Sequence, residues 1–181
     1  MSAEIHSVNA GRKLPTYDGD LLNAIIDTPK GSHAKYAHDE KTGLFKLRTV
    51  LPAGLVFPYN FGFLPSTRGE DGDPLDILVL MDAAAYPGCL LPARLIGVFE
   101  GEQTEKEVPP QRNDRLIAVA VSCPTYGDFT ALDELGDKLV DQIESFFGSY
   151  NKFRGKIWTP LGRHGPKRAS RLIKAGTEQQ G

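Results

Sequence analysis

The chain has 181 residues, 40% hydrophobic and 24% charged, with a formal net charge of −2 at pH 7. These values are typical of a globular protein with a buried core, and we expect residues 1–181 to form a single domain. The slight acidity argues against a general nucleic-acid binder, which usually carries a basic excess. No apolar segment is long enough to span a bilayer and the N-terminus lacks a signal-peptide core, so the sequence predicts a cytoplasmic protein without a membrane partner.

The first half of the chain is predicted to form short strands joined by turns. Residues 1–20 are polar and aperiodic, which predicts an extended arm. A strand is predicted over 21–27, followed by a hairpin whose strands cover 35–38 and 44–50. If side chains alternate regularly between the two faces of the second hairpin strand, Arg48 lies on the same side of the hairpin as Lys35 of the first strand.

The middle of the chain contains the strongest strand signals. The run Ile-Leu-Val-Leu at 77–80 reads as a buried strand, and two more strands are predicted over 90–99 and 115–121. Between these two, the segment 100–114 is charged and contains two consecutive prolines, which predicts a loop.

The last third of the chain is predicted to be helical. Apolar residues recur at three- and four-residue steps from a start near Leu132, which indicates one face of an amphipathic helix. That face comprises Leu135, Leu139, Ile143, Phe146, Phe147 and Tyr150. A shorter helix is predicted over 166–174, inside a basic C-terminal tail that covers 157–181. Strands followed by helices predict an α+β fold, mainly β, with a small closed barrel flanked by helices.

Segment 71–76 reads Asp-Gly-Asp-Pro-Leu-Asp and leads directly into the predicted strand at 77–80. Three carboxylates within six residues repel one another, and a bound cation offsets that repulsion. Hard oxygen ligands of this kind suit Mg²⁺, Mn²⁺ or Ca²⁺. An ordinary surface turn is built from the same residue types. The segment is not an EF-hand loop, because Leu75 and Asp76 stand where that pattern requires Asp or Asn and then Gly.

With this segment as its most specific part, the chain closely resembles the soluble family I inorganic pyrophosphatases. Segment 71–76 fits the family signature Asp-Gly-Asp-Pro-x-Asp, and supporting blocks follow the family order. These blocks are Lys35-Tyr36, Gly43-Leu44-Phe45, Phe57-Pro58-Tyr59-Asn60-Phe61-Gly62-Phe63, Leu116-Ile117-Ala118-Val119 and Phe146-Phe147 with Tyr150. The resemblance covers residues from about 25 to 156. It implies a five-stranded OB-like barrel, pyrophosphate as substrate and a homo-oligomer, commonly a hexamer in bacteria.

The resemblance also implies which side chains hold metal and activate water. Asp71 and Asp76 would bind Mg²⁺, or Mn²⁺ in its place, and lower the pKa of a water molecule. Asp73 would orient or deprotonate that water as the catalytic residue. A further metal-binding aspartate of the family aligns with Asn113, and the neighbouring Asp114 is an alternative ligand.

Five side chains are implied to bind the substrate. Lys35 and Arg48 would grip phosphate oxygens, and Arg115 aligns with a lysine of the family. Tyr150 and the nearby Lys152 would bind the electrophilic or leaving phosphate. Arginine suits this task because its planar guanidinium offers two parallel donors.

Several positions depart from the family pattern. A family glutamate appears as Asp27, the glutamate of a Lys-Tyr-Glu element appears as Ala37, and a substrate-binding tyrosine appears as Phe61. Asn113 replaces the metal-binding aspartate, and Lys152 is displaced by one position. These departures leave open a homologue that acts on another phosphoanhydride or binds phosphate ligands without turnover. A second alternative is an OB-type module for single-stranded nucleic acid, although the carboxylates of 71–76 would repel a phosphate backbone.

Overall fold

The structure is a computed structural model that describes residues 14–39 and 41–179. Residues 1–13 of the predicted arm lie outside the described part. The elements, in chain order, are β1 (Tyr17–Asp18), β2 (Leu21–Thr28), β3 (Ala34–Asp39), β4 (Leu44–Val50), β5 (Asn60–Phe63), β6 (Asp76–Leu80), β7 (Leu90–Glu105), β8 (Val108–Arg112), β9 (Arg115–Ala120), a 3-10 helix (Leu132–Leu135), α1 (Asp137–Phe153), β10 (Ile157–His164) and α2 (Pro166–Glu178). None of these helices is long and apolar enough to cross a membrane.

Five of the strands close into a barrel. β2 pairs with β5, β5 with β6, β6 with β9, and β9 with β7, which pairs in turn with β2. The pairing of β6 with β9 is parallel, whereas the other four are antiparallel. The predicted five-stranded closed barrel is therefore confirmed. β1, β8 and β10 extend the same sheet beyond the ring.

Both faces of β6 are buried, because each face packs in a hydrophobic cluster that also includes residues of one helix. In β6, Ile77 and Val79 lie in a cluster with Ile173 of α2. Leu78 lies on the opposite face, in a cluster with Phe147 of α1. A strand buried on both faces reads as a continuous apolar run. This explains the sequence of β6, which runs directly on from the carboxylate segment.

Gly62 sets how closely β5 approaches β2. A Cβ atom built at this position would lie 1.9 Å from the carbonyl oxygen of Ile25. No side chain fits at that distance, so β5 can pair with β2 in this way only because residue 62 is a glycine. Phe61 and Phe63 flank it and line the same cavity, described below.

The predicted hairpin is confirmed as a separate two-stranded sheet of β3 and β4. Its register contains a bulge, because Lys35 pairs with Thr49 whereas Tyr36 pairs with Leu47. Arg48 is the extra residue of β4. A bulge interrupts the alternation of side chains, so the consecutive residues Arg48 and Thr49 both line the cavity.

Two predicted irregular regions are strands instead. The predicted loop at 100–114 was wrong, because β7 continues to Glu105 and turns back into β8. Pro109 and Pro110 fit there because β8 is an edge strand that pairs with β7 alone, where a missing N–H does no harm. Likewise, residues 157–164 of the expected tail form β10, which pairs with β7 along its length.

The apolar face of the predicted helix is confirmed, but the helix starts later than expected. Leu132 begins a 3-10 helix, and α1 starts at Asp137, after Gly136 takes a φ of +74°. The second predicted helix is present as α2 and extends four residues further, to Glu178. The C-terminal end of α1 brings Tyr150 to the cavity.

Candidate active site

A cavity of about 680 Å³ lies beside the hairpin of β3 and β4, at one end of the barrel. Its walls come from the hairpin, the segment 71–76, the starts of β6 and β9, and the residues at and after the end of α1. The charged and titratable side chains that line it are Asp27, Lys35, His38, Arg48, Asp71, Asp73, Asp76, Arg115, Tyr150, Arg154 and Lys156. The fold therefore gathers the polar residues of segments that are far apart in sequence.

The segment 71–76 is a tight loop that presents three carboxylates. Gly72 takes a φ of +86°, a conformation that favours glycine. The backbone N–H of Asp73 donates a hydrogen bond to Oδ1 of Asp71 at 3.1 Å. Partial removal from water raises the pKa of Asp71, and the nearby charges of Asp76 and Asp73 raise it further. The loop thus concentrates negative charge at one wall.

Asp27 and Lys35 form a buried ion pair at the second wall. Nζ of Lys35 lies 2.6 Å from Oδ1 of Asp27, and both side chains are largely buried. The ammonium group also lies 4.4 Å from the ring centre of Phe61. Burial raises the pKa of Asp27 despite the opposing effects of Lys35 and of the hydroxyl of Thr28. A lysine held in this way presents its charge from a fixed position.

Arg115 is buried at the third wall and joins two site residues. Its Nη1 donates hydrogen bonds to the carboxylate of Asp76 and to the amide oxygen of Asn113. The guanidinium lies over the rings of Phe61 and Phe147, at 5.9 and 5.4 Å from their centres. The residue is 4% exposed. Arg115 is therefore fixed by charge and packing together.

Asn113 is held by contacts on both its side chain and its backbone. Its Nδ2 donates to Oε1 of Gln103 at 2.8 Å, and its carbonyl accepts a hydrogen bond from the indole of Trp158 at 2.9 Å. Gln103 also lines the cavity. This wall therefore carries two neutral amides, whereas metal sites of this kind usually have carboxylates as ligands.

The fourth wall comes from the C-terminal end of α1 and the residues after it. Tyr150 is 3% exposed, and burial raises the pKa of its hydroxyl. Arg154 and Lys156 line the cavity beside it, whereas Lys152 does not. Nζ of Lys156 also lies 2.8 Å from the carboxylate of Glu105. α1 ends at Phe153, so Arg154 and Lys156 lie on the chain that leaves the helix.

The hairpin contributes His38 as well as Arg48. His38 is half-buried, lines the cavity and lies 5.4 Å from Phe45 between ring centres. Its Nε2 is buried and has no hydrogen-bond partner among the residues that the structure describes. Ala37, which also lines the cavity, brings no charge to this side.

Asp114 lies outside the cavity, in a network with Arg112 and Glu100. Nη2 of Arg112 lies 2.8 Å from Oδ1 of Asp114 and 2.8 Å from Oε2 of Glu100. The backbone N–H of Gly101 also donates to Asp114, at 3.0 Å. Alternation along the extended segment turns Asp114 away while Asn113 and Arg115 face inward. Of the two predicted alternatives, the structure thus brings Asn113 to the cavity.

Glu100 should make a measurable contribution to acid stability. Hydrogen bonds from Arg168 and Arg112 lower the pKa of Glu100 to about 2, from an ordinary value of 4.5. A lowered pKa stabilises the fold above pH 4.5, and this contribution is lost as the pH falls towards 2. We expect Glu100→Gln to lower the free energy of unfolding by about 2 kcal/mol at pH 7.

This expectation can be checked by urea unfolding at a series of pH values. The Glu100→Gln variant should show a flatter dependence of stability on pH than the wild type between pH 4.5 and 2. Glu102→Gln is the matched control, because Glu102 lies on the same strand and makes no ion pair among the described residues. Equal pH profiles for the wild type and Glu100→Gln would contradict the assignment.

The donor set of the cavity fits a hard divalent cation, although the carboxylates do not converge on one point. Within the described residues, no three His, Cys, Asp or Glu side chains are close enough to hold a metal ion. Two of the carboxylates already have cationic partners, since Asp27 pairs with Lys35 and Asp76 with Arg115. Asp71 and Asp73 make no ion pair among the described residues, and oxygen ligands are those that Mg²⁺ prefers.

Residues 24–180 match the family model described as inorganic pyrophosphatase. The chain belongs to the inorganic pyrophosphatase family. It is 39% identical over 152 residues to soluble inorganic pyrophosphatase 3 of Arabidopsis thaliana, covering 83% of this chain and 66% of that protein. It is 36% identical over 170 residues to soluble inorganic pyrophosphatase 2 of Chlamydomonas reinhardtii, covering 93% of this chain and 83% of that one. The chain thus spans about two thirds of the length of the plant pyrophosphatase.

Solved pyrophosphatase structures share the fold. The inorganic pyrophosphatase of Thermus thermophilus matches with a TM-score of 0.85 and 29% identity, covering 94% of this chain and 98% of that one. The enzyme of Helicobacter pylori matches with a TM-score of 0.83 and 31% identity, covering 93% and 98% of the two chains. The resemblance seen in the sequence motifs is therefore confirmed for the family and for the barrel.

Most of the side chains that the pyrophosphatase resemblance singled out meet in one cavity. The residues brought together are Lys35, Arg48, Asp71, Asp73, Asp76, Asn113, Arg115 and Tyr150. Lys152 and Asp114 are not among them. Sequence reasoning missed Asp27 as a partner of Lys35, and it missed Gln103, Arg154 and Lys156 as cavity residues. Only the basic character of residues 152–156 gave a signal for the last two.

Proposed function

We propose that the protein hydrolyses inorganic pyrophosphate to two phosphates with the help of a divalent cation, which we expect to be Mg²⁺, with Mn²⁺ able to replace it. The observation that carries this proposal is the meeting of acidic and basic side chains across a single cavity. Asp71, Asp73 and Asp76 lie on one wall, and Lys35 and Arg48 line the same space. Family membership supports the same reaction.

The acidic wall would hold the cation and the attacking water. Asp71 and the free oxygen of Asp76 are the proposed metal ligands. When bound, Mg²⁺ offsets the charge of pyrophosphate and makes a water molecule acidic enough to attack at neutral pH. Asp73 is exposed at the turn of the loop, from where its carboxylate would accept the proton of that water. Its neighbour Asp71 is already engaged by the backbone of Asp73.

The basic walls would bind the two phosphoryl groups. Lys35, Arg48 and Arg115 supply fixed positive charge and hydrogen-bond donors to phosphate oxygens. On the opposite side, Tyr150 keeps its proton because burial raises its pKa, so its hydroxyl can donate to the leaving phosphate. Arg154 lines the cavity there, so we propose for it the role that the resemblance implied for Lys152.

The proposal is tested by phosphate release from pyrophosphate with the purified full chain, titrated with Mg²⁺ and Mn²⁺. We expect turnover that requires a divalent cation and that falls at least about 100-fold in Asp71→Asn, because a ligand of the cation is lost. Asp18→Asn is the matched control, since Asp18 is an exposed carboxylate outside the cavity and should leave the rate unchanged.

Parallel assays separate the alternatives. Release from a nucleoside triphosphate or tripolyphosphate, with none from pyrophosphate, would indicate a different phosphoanhydride as substrate. Salt-sensitive binding of a single-stranded oligonucleotide without Mg²⁺ would favour a nucleic-acid module. No phosphate release from pyrophosphate under any metal, from a folded protein, would overturn the proposed function.

The family resemblance also supports the setting in which the protein works. We propose that residues 1–181 act as a single domain in a homo-oligomer, a hexamer by analogy with bacterial members, and that the protein is cytoplasmic. Pyrophosphate is its proposed partner, with no role for nucleic acid or membrane. Cys89 and Cys123 are both free thiols, in agreement with a reducing compartment.

A further inference from the structure

The cavity already contains positive charge next to its proposed metal ligands. Its carboxylates are Asp27, Asp71, Asp73 and Asp76, and its basic side chains are Lys35, Arg48, Arg115, Arg154 and Lys156. A site with only carboxylates depends on divalent cations to become attractive to a polyanion. Here the positive side chains outnumber the carboxylates by one before any cation binds.

Arg115 is the basic residue in direct contact with a proposed metal ligand. Its Nη1 donates to Oδ2 of Asp76, and the side chain is 4% exposed. Arginine side chains carry a positive charge in proteins, and burial of this one strengthens its attraction for the carboxylate. One oxygen of Asp76 is therefore bound to a positively charged side chain that belongs to the protein itself.

The neighbouring wall supplies no competing negative charge. The amide oxygen of Asn113 also accepts from Nη1 of Arg115, and its Nδ2 donates to Gln103. Both residues are neutral, and the nearby carboxylate of Asp114 is turned to Arg112 and the backbone of Gly101. The buried guanidinium thus has Asp76 as its one carboxylate partner within the described residues.

We propose that Arg115 is a built-in countercharge that competes with divalent cations for Asp76. The cavity consequently takes up cations less readily than its carboxylates would without Arg115, and Asp76 offers a cation one oxygen instead of two. This inference concerns the metal demand of the proposed pyrophosphatase and rests on that function only for the class of cation.

The test is Mn²⁺ binding to the full chain without pyrophosphate, with free Mn²⁺ measured by electron paramagnetic resonance. We expect Arg115→Gln to bind Mn²⁺ at least about tenfold more tightly than the wild type, because a unit charge in contact with Asp76 has been removed. Arg48→Gln is the matched control. It removes one positive charge from the same cavity but frees no carboxylate, since Arg48 forms no ion pair among the described residues.

The result that would overturn the proposal is an equal gain in both variants, or no gain in Arg115→Gln. Equal gains would mean that only the overall charge of the cavity matters. For the control we expect a gain of less than about threefold, because Arg48 is exposed and its field is screened by water.

A double variant keeps the test decisive if Arg115→Gln does not fold. Arg115→Gln with Asp76→Asn removes both charges of the pair and leaves two amides that can bond to each other. We expect its Mn²⁺ affinity not to exceed that of the wild type, because removal of Arg115 frees no charge once residue 76 is an amide. A gain of about tenfold in the double variant would contradict the proposal, since that gain could not come through Asp76. Because no turnover is measured, these outcomes are independent of whether pyrophosphate is hydrolysed.

Discussion

Replacing Asp73 by asparagine should lower kcat for pyrophosphate hydrolysis by about 10³-fold, because an amide cannot accept a proton from the attacking water. The substitution preserves the shape of the side chain. The fold should tolerate it, since Asp73 is exposed and the hydrogen bonds of the turn run through its backbone to Asp71 and Gly69. We expect the free energy of unfolding to change by less than about 0.5 kcal/mol.

The measurement is steady-state kinetics over a series of Mg²⁺ concentrations. Loss of a proton acceptor predicts a lower kcat at every Mg²⁺ concentration, whereas loss of a metal ligand would be partly restored by more Mg²⁺. Glu70→Gln is the matched control, because Glu70 is an exposed carboxylate of the same loop outside the cavity. If Asp73→Asn kept more than a tenth of the wild-type kcat, the catalytic assignment would be wrong.

The acidic segment and the buried strand that follows it were predictable because each depends on local sequence. Three carboxylates around Gly72 are unusual outside ion sites, and the apolar run that follows them reads as a strand buried on both faces. The closure of the barrel was predicted only in outline, from the order of strands and helices, and the number of five strands came from the family resemblance. It depends on the pairing of β2 with β7, whose partners Leu22 and Ala93 lie far apart in the chain.

The placement of individual side chains depended on features that the sequence does not show. A bulge at Arg48 places Arg48 and Thr49 together, although regular alternation would separate them. Register likewise decides between Asn113 and Asp114, and only the family alignment pointed to the first. The hairpin of β7 and β8 was not predicted, because its two prolines indicated a loop. A strand accepts proline at the edge of a sheet, but the sequence does not show which strand forms that edge.

Replacing Lys35 by methionine should impair both substrate binding and folding. The variant loses a phosphate contact, so kcat/KM for pyrophosphate should fall about 10²- to 10³-fold. It also leaves the carboxylate of Asp27 buried without its partner, which should destabilise the fold by about 3 kcal/mol at pH 8. Urea unfolding and steady-state kinetics on the same preparation measure the two effects.

The two roles of Lys35 can be separated through Asp27. The pKa of Asp27 is already raised by burial, and loss of Lys35 should raise it further. Burying a neutral carboxyl group costs less free energy than burying a carboxylate. The loss of stability in Lys35→Met should therefore become smaller as the pH falls through that raised pKa. Adding Asp27→Asn should restore most of the lost stability at every pH, since no unpaired charge then remains buried. Activity should stay low in the double variant, because the phosphate contact is still absent; recovery of kcat/KM together with stability would show that Lys35 supports the fold without binding substrate.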